Sequence, residues 1–140
     1  MIRAFAHNDL ERVMEIWLDA NCSAHGFIPE RYWKANAAAV KKLLPQSSVY
    51  VYEDERGIQG FIGLMDSDIA GLFVAEGARS KGVGKRLLDY AKQKHNTLTL
   101  QAYQKNRRAI RFYSREHFTA QSIQTDENTG EAELRMLWKR

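Results

Sequence analysis

The chain has 140 residues, 44% hydrophobic and 27% charged, enough apolar material for one domain with a single core. A lone cysteine, Cys22, excludes an internal disulfide, and there is no basic leader and no apolar run of about 18 residues, so a cytoplasmic protein with no membrane partner is expected. The net charge of +4 and pI near 9.3 come from basic residues interspersed with acidic ones, a pattern that argues against a nucleic-acid footprint.

In chain order, Ile2 to Ala6 reads as a strand. Asn8, with Glu11 three residues on, has the spacing of a capping box. The helix it opens carries Leu10, Val13, Met14, Trp17 and Leu18 on one face and should reach Asn21. Cys22 to Ile28 is a loop expected to face substrate. Pro29 then starts a helix that Pro45 stops after Leu44. Ser48 to Glu53 and Ile58 to Met65 are strands joined by the turn Asp54-Glu55-Arg56-Gly57, and Ile69 to Val74 continues the meander. A glycine-containing segment leads into a helix with Val83, Leu87, Leu88 and Ala91 on one stripe. A strand at Thr97 to Ala102, a helix from Asn106 and a hairpin turning at Asp126 to Gly130 complete the chain. Trp17 and Trp138 are expected in the core, and Asp126, Asn128 and Gly130 form a turn whose ligand spacing is incomplete for calcium, so no metal is expected.

The segment Arg79-Ser80-Lys81-Gly82-Val83-Gly84 has the make-up of a pyrophosphate cradle. Glycines allow close backbone approach, and the first amides of the following helix are unpaired at its positive end. Two other nucleotide motifs fail on named letters. From Gly77 the phosphate-loop spacing reaches Gly82, but Val83 and Gly84 stand where lysine and serine or threonine are needed. A dinucleotide fingerprint needs glycine or alanine where Leu87 stands.

Twenty-two residues beyond Gly84 begins a second pattern, Asn106-x-x-Ala109-x-x-Phe112-Tyr113. The two together, in this order, resemble the coenzyme A signature and the following helix of the GNAT acetyltransferase superfamily. The likeness spans essentially the whole chain and is nearest to small bacterial GNATs of the YiaC/YjaB type in Ile16-Trp17-Leu18, His25-Gly26-Phe27-Ile28 and Tyr103-Gln104-Lys105-Asn106. It implies an α/β fold of order β-α-α-β-β-β-α-β-α-β-β, with a mixed, mostly antiparallel sheet of six to seven strands and helices on both faces. It further implies acetyl-CoA as cosubstrate, the pantetheine arm along Leu72, Phe73 and Val74, and the pyrophosphate on amides from Arg79 through Ser80, Lys81, Gly82, Val83 and Gly84 to Lys85. Arg79 and Lys81 would add positive charge, with Asn106, Ala109 and Phe112 beside the cofactor.

Acetyl transfer needs a neutral amine, yet a lysine is only about one part in a thousand neutral near pH 7.4, so a base is useful. The resemblance implies the Val74 amide as oxyanion donor and Tyr113 as general acid toward the departing thiolate. Asp68 is one base candidate and His25 another, with Tyr103 and Glu53 as further options, and a water relay would require none of them. His25, Phe27, Tyr32 and Trp33 are the candidate acceptor contacts. The expected reaction is direct acetyl transfer in a ternary complex, from a monomer or homodimer. The acceptor is a protein lysine, an N-terminal amine or a small amine. A non-catalytic acyl-CoA sensor and a toxin-like acetyltransferase of aminoacyl-tRNA are the rival readings. Three letters depart from the family pattern: Glu76 for proline, and Ser80 and His117 for glycine. Ser80 is expected to be tolerated if its φ is negative, Ser80 and Glu76 at most to weaken cofactor binding without abolishing it, and His117 to adopt a left-handed cap under strain or a different turn.

Overall fold

The meander at the centre of the chain forms as its alternation requires. In the computed structural model, which describes residues 1–140, β2 (Ser48–Asp54), β3 (Gly57–Met65) and β4 (Asp68–Val74) pair antiparallel through two-residue turns, and β1 (Ile2–Ala4) adds to the β2 edge. Helices α1 (Leu10–Ala24) and α2 (Glu30–Leu43) separate β1 from β2. Helix α3 (Val83–Lys94) crosses over from β4 to β5 (Thr97–Tyr103), and α4 (Arg107–Arg115) leads to the hairpin β6 (Thr119–Thr125) and β7 (Ala132–Lys139). The seven strands lie in the order β1-β2-β3-β4-β5-β7-β6, and only the β4–β5 contact is parallel. The fold is thus the mixed, mostly antiparallel α/β arrangement expected.

Side-chain alternation gives each face of the sheet its own core. Val49 and Val51 of β2 and Phe61 of β3 pack with Val13, Ile16 and Trp17 of α1 and Trp33 of α2. Ile62 and Leu64, with Leu98, Leu100, Met136 and Trp138, pack against Leu87, Leu88 and Ala91 of α3 and Tyr113 of α4. Both tryptophans expected inside are buried. No helix is long and apolar enough to cross a membrane.

Four local expectations are corrected. β1 stops at Ala4, and a 3-10 turn over His7–Asp9 precedes α1. Asn8 is exposed and caps nothing; Asp9 does that work. Its carboxylate accepts the Ala6 amide (2.7 Å) and both terminal nitrogens of Arg3 (2.8 and 3.0 Å), contacts that hold it below the usual carboxylate range. Helix α1 runs past Asn21 to Ala24, so Cys22 and Ser23 are helical rather than in the loop. Pro45 lies inside a 3-10 turn, Leu44–Gln46, after α2 has ended at Leu43.

The end of α4 follows the left-handed alternative for His117, with φ of 73°. The Phe118 amide donates to Tyr113 O (2.9 Å) and the His117 amide to Ser114 O (3.2 Å), a Schellman cap closed by the contact of Tyr113 and Phe118, ring centroids 5.4 Å apart. A histidine performs a glycine's task there, and the same cap fixes Tyr113.

Candidate active site

Strands β4 and β5 are joined at only two register pairs, Asp68 with Thr99 and Ile69 with Leu100, and beyond them the ladder stops. On its other side β4 stays paired with β3 as far as Val74. The Ala75 amide donates to Gln59 O (2.8 Å), one residue outside the Gly60–Val74 pair, which makes that pair the non-hydrogen-bonded kind. The amide and carbonyl of Val74 therefore point away from β3 into the opening, as do those of Leu72 two residues back. The corresponding groups of Phe73 face β3. An extended chain laid in this opening meets Leu72 and Val74 as a strand edge.

The opening ends at the glycine segment. Ser80 and Gly82 both have left-handed backbones, φ 63° and 82°, so the negative φ on which easy tolerance of Ser80 depends is not what the chain adopts. The Arg79 amide donates to Glu76 O (3.3 Å), and Arg86 to Gly82 O (3.0 Å). The six amides between them, Ser80 to Lys85, donate to no carbonyl. Consecutive free amides in a left-handed turn, at the start of a 12-residue helix, form an anion-binding concavity. A Cβ added at Gly82 would meet nothing within 4 Å, and one at Gly84 would stand 3.6 Å from Phe112 Cζ and 3.8 Å from Val74 Cγ2. Gly84 is thus where β4, α3 and α4 converge.

The expected cations are distributed differently. The Arg79 guanidinium is turned back, its Nε donating to Val74 O (3.4 Å) and a terminal nitrogen to Ser23 Oγ (3.2 Å) on α1. The Lys85 ammonium lies between Asp89 (3.2 Å) and Glu116 (3.1 Å), contacts that raise its pKa. Only the amide of Lys85 is free for an anion, and Lys81 makes no ion pair.

Tyr113 is buried between Phe112 and Phe118, ring centroids 5.1 and 5.4 Å away, and burial alone pushes its phenol above the usual range. It is a proton carrier and hydrogen-bond donor at neutral pH. Asn106 caps α4, its Oδ1 accepting the Ala109 amide (3.2 Å), and this orients its Nδ2 toward His25 Nε2 at 3.1 Å.

His25 is also the centre of an aromatic group. It stacks on Trp33 at 5.2 Å and meets Phe27 (5.6 Å) and Tyr103 (5.1 Å) edge-on, while Tyr32 meets Trp33 at 5.0 Å. All four candidate acceptor residues are therefore brought together, next to the end of β5. Because Asn106 donates, His25 Nε2 accepts and the ring proton sits on Nδ1, which is buried without a partner, as is Trp33 Nε1. Burial lowers the His25 pKa to about 4, so the ring is neutral but its lone pair is already engaged. The other base candidates are held elsewhere. Tyr103 donates to Asp126 at 2.5 Å and is raised by burial and by that carboxylate, and Glu53 pairs with Arg3 at 2.9 Å. Asp68 accepts from Thr99 Oγ1 (2.7 Å) at the start of β4, six residues or about 20 Å along the strand from Val74.

The bridges from His25 to Asn106 and from Arg79 to Ser23 were beyond sequence reasoning, since each joins residues more than fifty apart with no local pattern. The Cys22 thiol is pushed up by burial and by Glu30, which suppresses the thiolate and argues against a nucleophilic role.

Comparison with known proteins agrees with this geometry. A family model described as an acetyltransferase (GNAT) domain matches residues 45–120. The chain is 35% identical over 120 residues to the peptidyl-lysine N-acetyltransferase YiaC of Escherichia coli (strain K12), covering 84% of this chain and 82% of that protein. It is 28% identical over 118 residues to the peptidyl-lysine N-acetyltransferase YjaB of the same organism, covering 84% and 80%. The solution structure of apo-form YjaB from Escherichia coli superposes with a TM-score of 0.88 at 25% identity, covering 99% and 96% of the two chains. With the splayed strands, the free amides and the buried tyrosine in place, the chain belongs to the GNAT family and is an N-acetyltransferase.

Proposed function

We propose that the protein moves an acetyl group from acetyl-CoA directly to a primary amine, with a lysine of a protein as the acceptor, in the cytoplasm. The observation that carries this reading is the run of six unpartnered amides, Ser80 to Lys85, at the mouth of the β4–β5 opening. Such donors suit a diphosphate, and the edge at Leu72 and Val74, which no strand pairs on that side, suits the amide-bearing arm behind it. Acetyl-CoA, when bound, supplies an acetyl thioester.

The chain's own groups divide the remaining work. The Val74 amide, free of β3, is the donor for negative charge developing on a carbonyl oxygen. Tyr113 gives its proton, or a hydrogen bond, to the departing sulfur, and its burial keeps that proton in place until it is needed. The aromatic group at His25, Phe27, Tyr32 and Trp33 lines the approach from the α1–α2 side and supports the alkyl stem and cationic head of a lysine. With His25 Nε2 engaged and Asp68 distant, deprotonation of the amine runs through water. The raised Cys22 thiol favours a single ternary complex over an acetylated enzyme. The protein-lysine acceptor is supported by the names of the two bacterial relatives.

Calorimetric titration with acetyl-CoA, beside ATP and NADH, is the test, followed by thiol release with lysine-containing and N-terminally free peptides. Saturable binding of acetyl-CoA that Gly84→Glu abolishes, with turnover on lysine peptides, supports the reading. A folded protein that binds no acetyl-CoA overturns it.

A further inference from the structure

Resting on the acetyl-CoA reading, the free amides account for the diphosphate, but coenzyme A also carries a phosphate on its ribose 3′ oxygen. The charges around the cradle show where that group would go. Arg79 is turned toward Val74 and Ser23, and Lys85 is neutralised by Asp89 and Glu116. Helix α4 differs: it holds Arg107, Arg108, Arg111 and Arg115 in nine residues, with no acidic residue among them. None of the four enters an ion pair, and all are exposed.

Arg107 and Arg111, and Arg111 and Arg115, are like charges four apart, which repel on a helix surface. A dianion is the partner that turns such a row from destabilising to favourable. The row is also tied to the cradle, because the Arg108 guanidinium donates to Ser80 Oγ at 3.2 Å. Arg111, one turn on, follows Arg108 along the exposed side of the helix. The hydroxyl of Ser80, on a left-handed backbone that glycine would adopt without strain, thereby places an arginine fork at the lip of the anion site.

We propose that Arg108, with Arg111 behind it, binds the 3′-phosphate of coenzyme A, so that the protein discriminates coenzyme A from its 3′-dephospho form. The test is calorimetric titration of both compounds into the full chain, as wild type, Arg108→Gln and Arg111→Gln. The wild type is expected to favour coenzyme A by about tenfold or more, the size of one charge-assisted phosphate contact. Arg108→Gln should remove most of that preference while leaving 3′-dephospho-coenzyme A binding within about twofold. Arg111→Gln, a residue with no partner in the protein and so no folding role, should remove part of it. Equal binding of the two compounds by the wild type overturns the proposal alone. So does an Arg108→Gln variant that weakens both equally, since the arginine would then serve the cradle through Ser80. A wild type that binds neither compound overturns the acetyl-CoA reading itself.

Discussion

Asn106 Nδ2 lies 3.1 Å from His25 Nε2, joining the loop that ends α1 to the cap of α4 across 81 residues. The bond has a direction, because Asn106 Oδ1 is occupied by the Ala109 amide and the nitrogen must face the ring. His25 is thereby fixed as the Nδ1–H tautomer, with a buried donor that has no partner. One side chain caps α4 and orients the ring at the centre of the aromatic group, so a change at either residue is expected to be felt at both.

The burial of His25 predicts a pH dependence of stability. The His25 pKa falls from about 6.5 unfolded to about 4 folded, so the unfolded chain binds more protons between those values. Stability contributed by neutral His25 is present above pH 6.5 and is lost as pH falls toward 4. Allowing for solvent screening of a partly accessible ring, the loss is on the order of 2 kcal/mol. Denaturation midpoints measured from pH 7.5 to 4.5 should fall in the wild type and change much less in His25→Gln. The contribution of Asp9, held down by Arg3, is present above its ordinary value of 3.8 and is lost only as pH falls below it, outside that window. Equal slopes for the two proteins would remove His25 from the account.

Tyr113→Phe separates chemistry from packing. The hydroxyl is raised by burial alone, with no partner in its titration, so deleting it leaves no orphan behind. The rings of Phe112 and Phe118 remain in contact with the benzyl group. Stability is expected to change by less than about 1 kcal/mol and acetyl-CoA affinity by less than about threefold, while turnover falls about 10²-fold or more. Thermal denaturation, calorimetry and initial rates of thiol release measure the three quantities. Unchanged turnover would take the proton-donor role from Tyr113.

Much of this was legible in the letters, for physical reasons that differ by element. The alternation of β2 and the three-to-four spacing of α3 record which side faces a core, while β3 is buried on both faces and is marked by its apolar run between turns, so those elements fall where the sequence puts them. The start of α1 was misread because Asn8 has capping chemistry but Asp9 has a long-range partner, Arg3, and a local rule cannot see it. The conformation of Ser80 was not legible because negative φ is the default for serine, whereas here it is left-handed with its hydroxyl accepting from Arg108. At the site, the glycine segment and the Asn106 to Tyr113 helix rest on contiguous motifs, so their placement in the chain was readable. The aromatic group was readable only as residue types, since the meeting of His25, Trp33 and Tyr103 is a product of tertiary packing.

His117 offers the reverse of a usual mutation. Its φ of 73° is costly for a side-chain-bearing residue, and the Schellman bonds it supports are made by backbone. His117→Gly is therefore expected to stabilise by about 1 kcal/mol, observed as a rise of a few degrees in Tm, with turnover unaltered. A fall in Tm would show that the imidazole makes a contribution larger than the strain.

The two glycines of the cradle should fail in different ways when each becomes alanine. Gly82 has open space around it but a φ of 82°, so Gly82→Ala costs backbone strain of about 1 to 2 kcal/mol without any clash. Gly84 has helical neighbours and ordinary contact distances of 3.6 and 3.8 Å to Phe112 and Val74, so Gly84→Ala folds as well as the wild type or better, alanine being preferred in a helix by about 1 kcal/mol. Its methyl nonetheless stands where β4, α3 and α4 converge, beside the Val74 group that faces the opening. Gly82→Ala should lower Tm by about 3 to 5 °C and recover its acetyl-CoA affinity once folded. Gly84→Ala should keep its Tm and lose acetyl-CoA affinity by about tenfold. If both variants lose affinity only in proportion to lost stability, Gly84 serves the fold rather than close approach of the ligand.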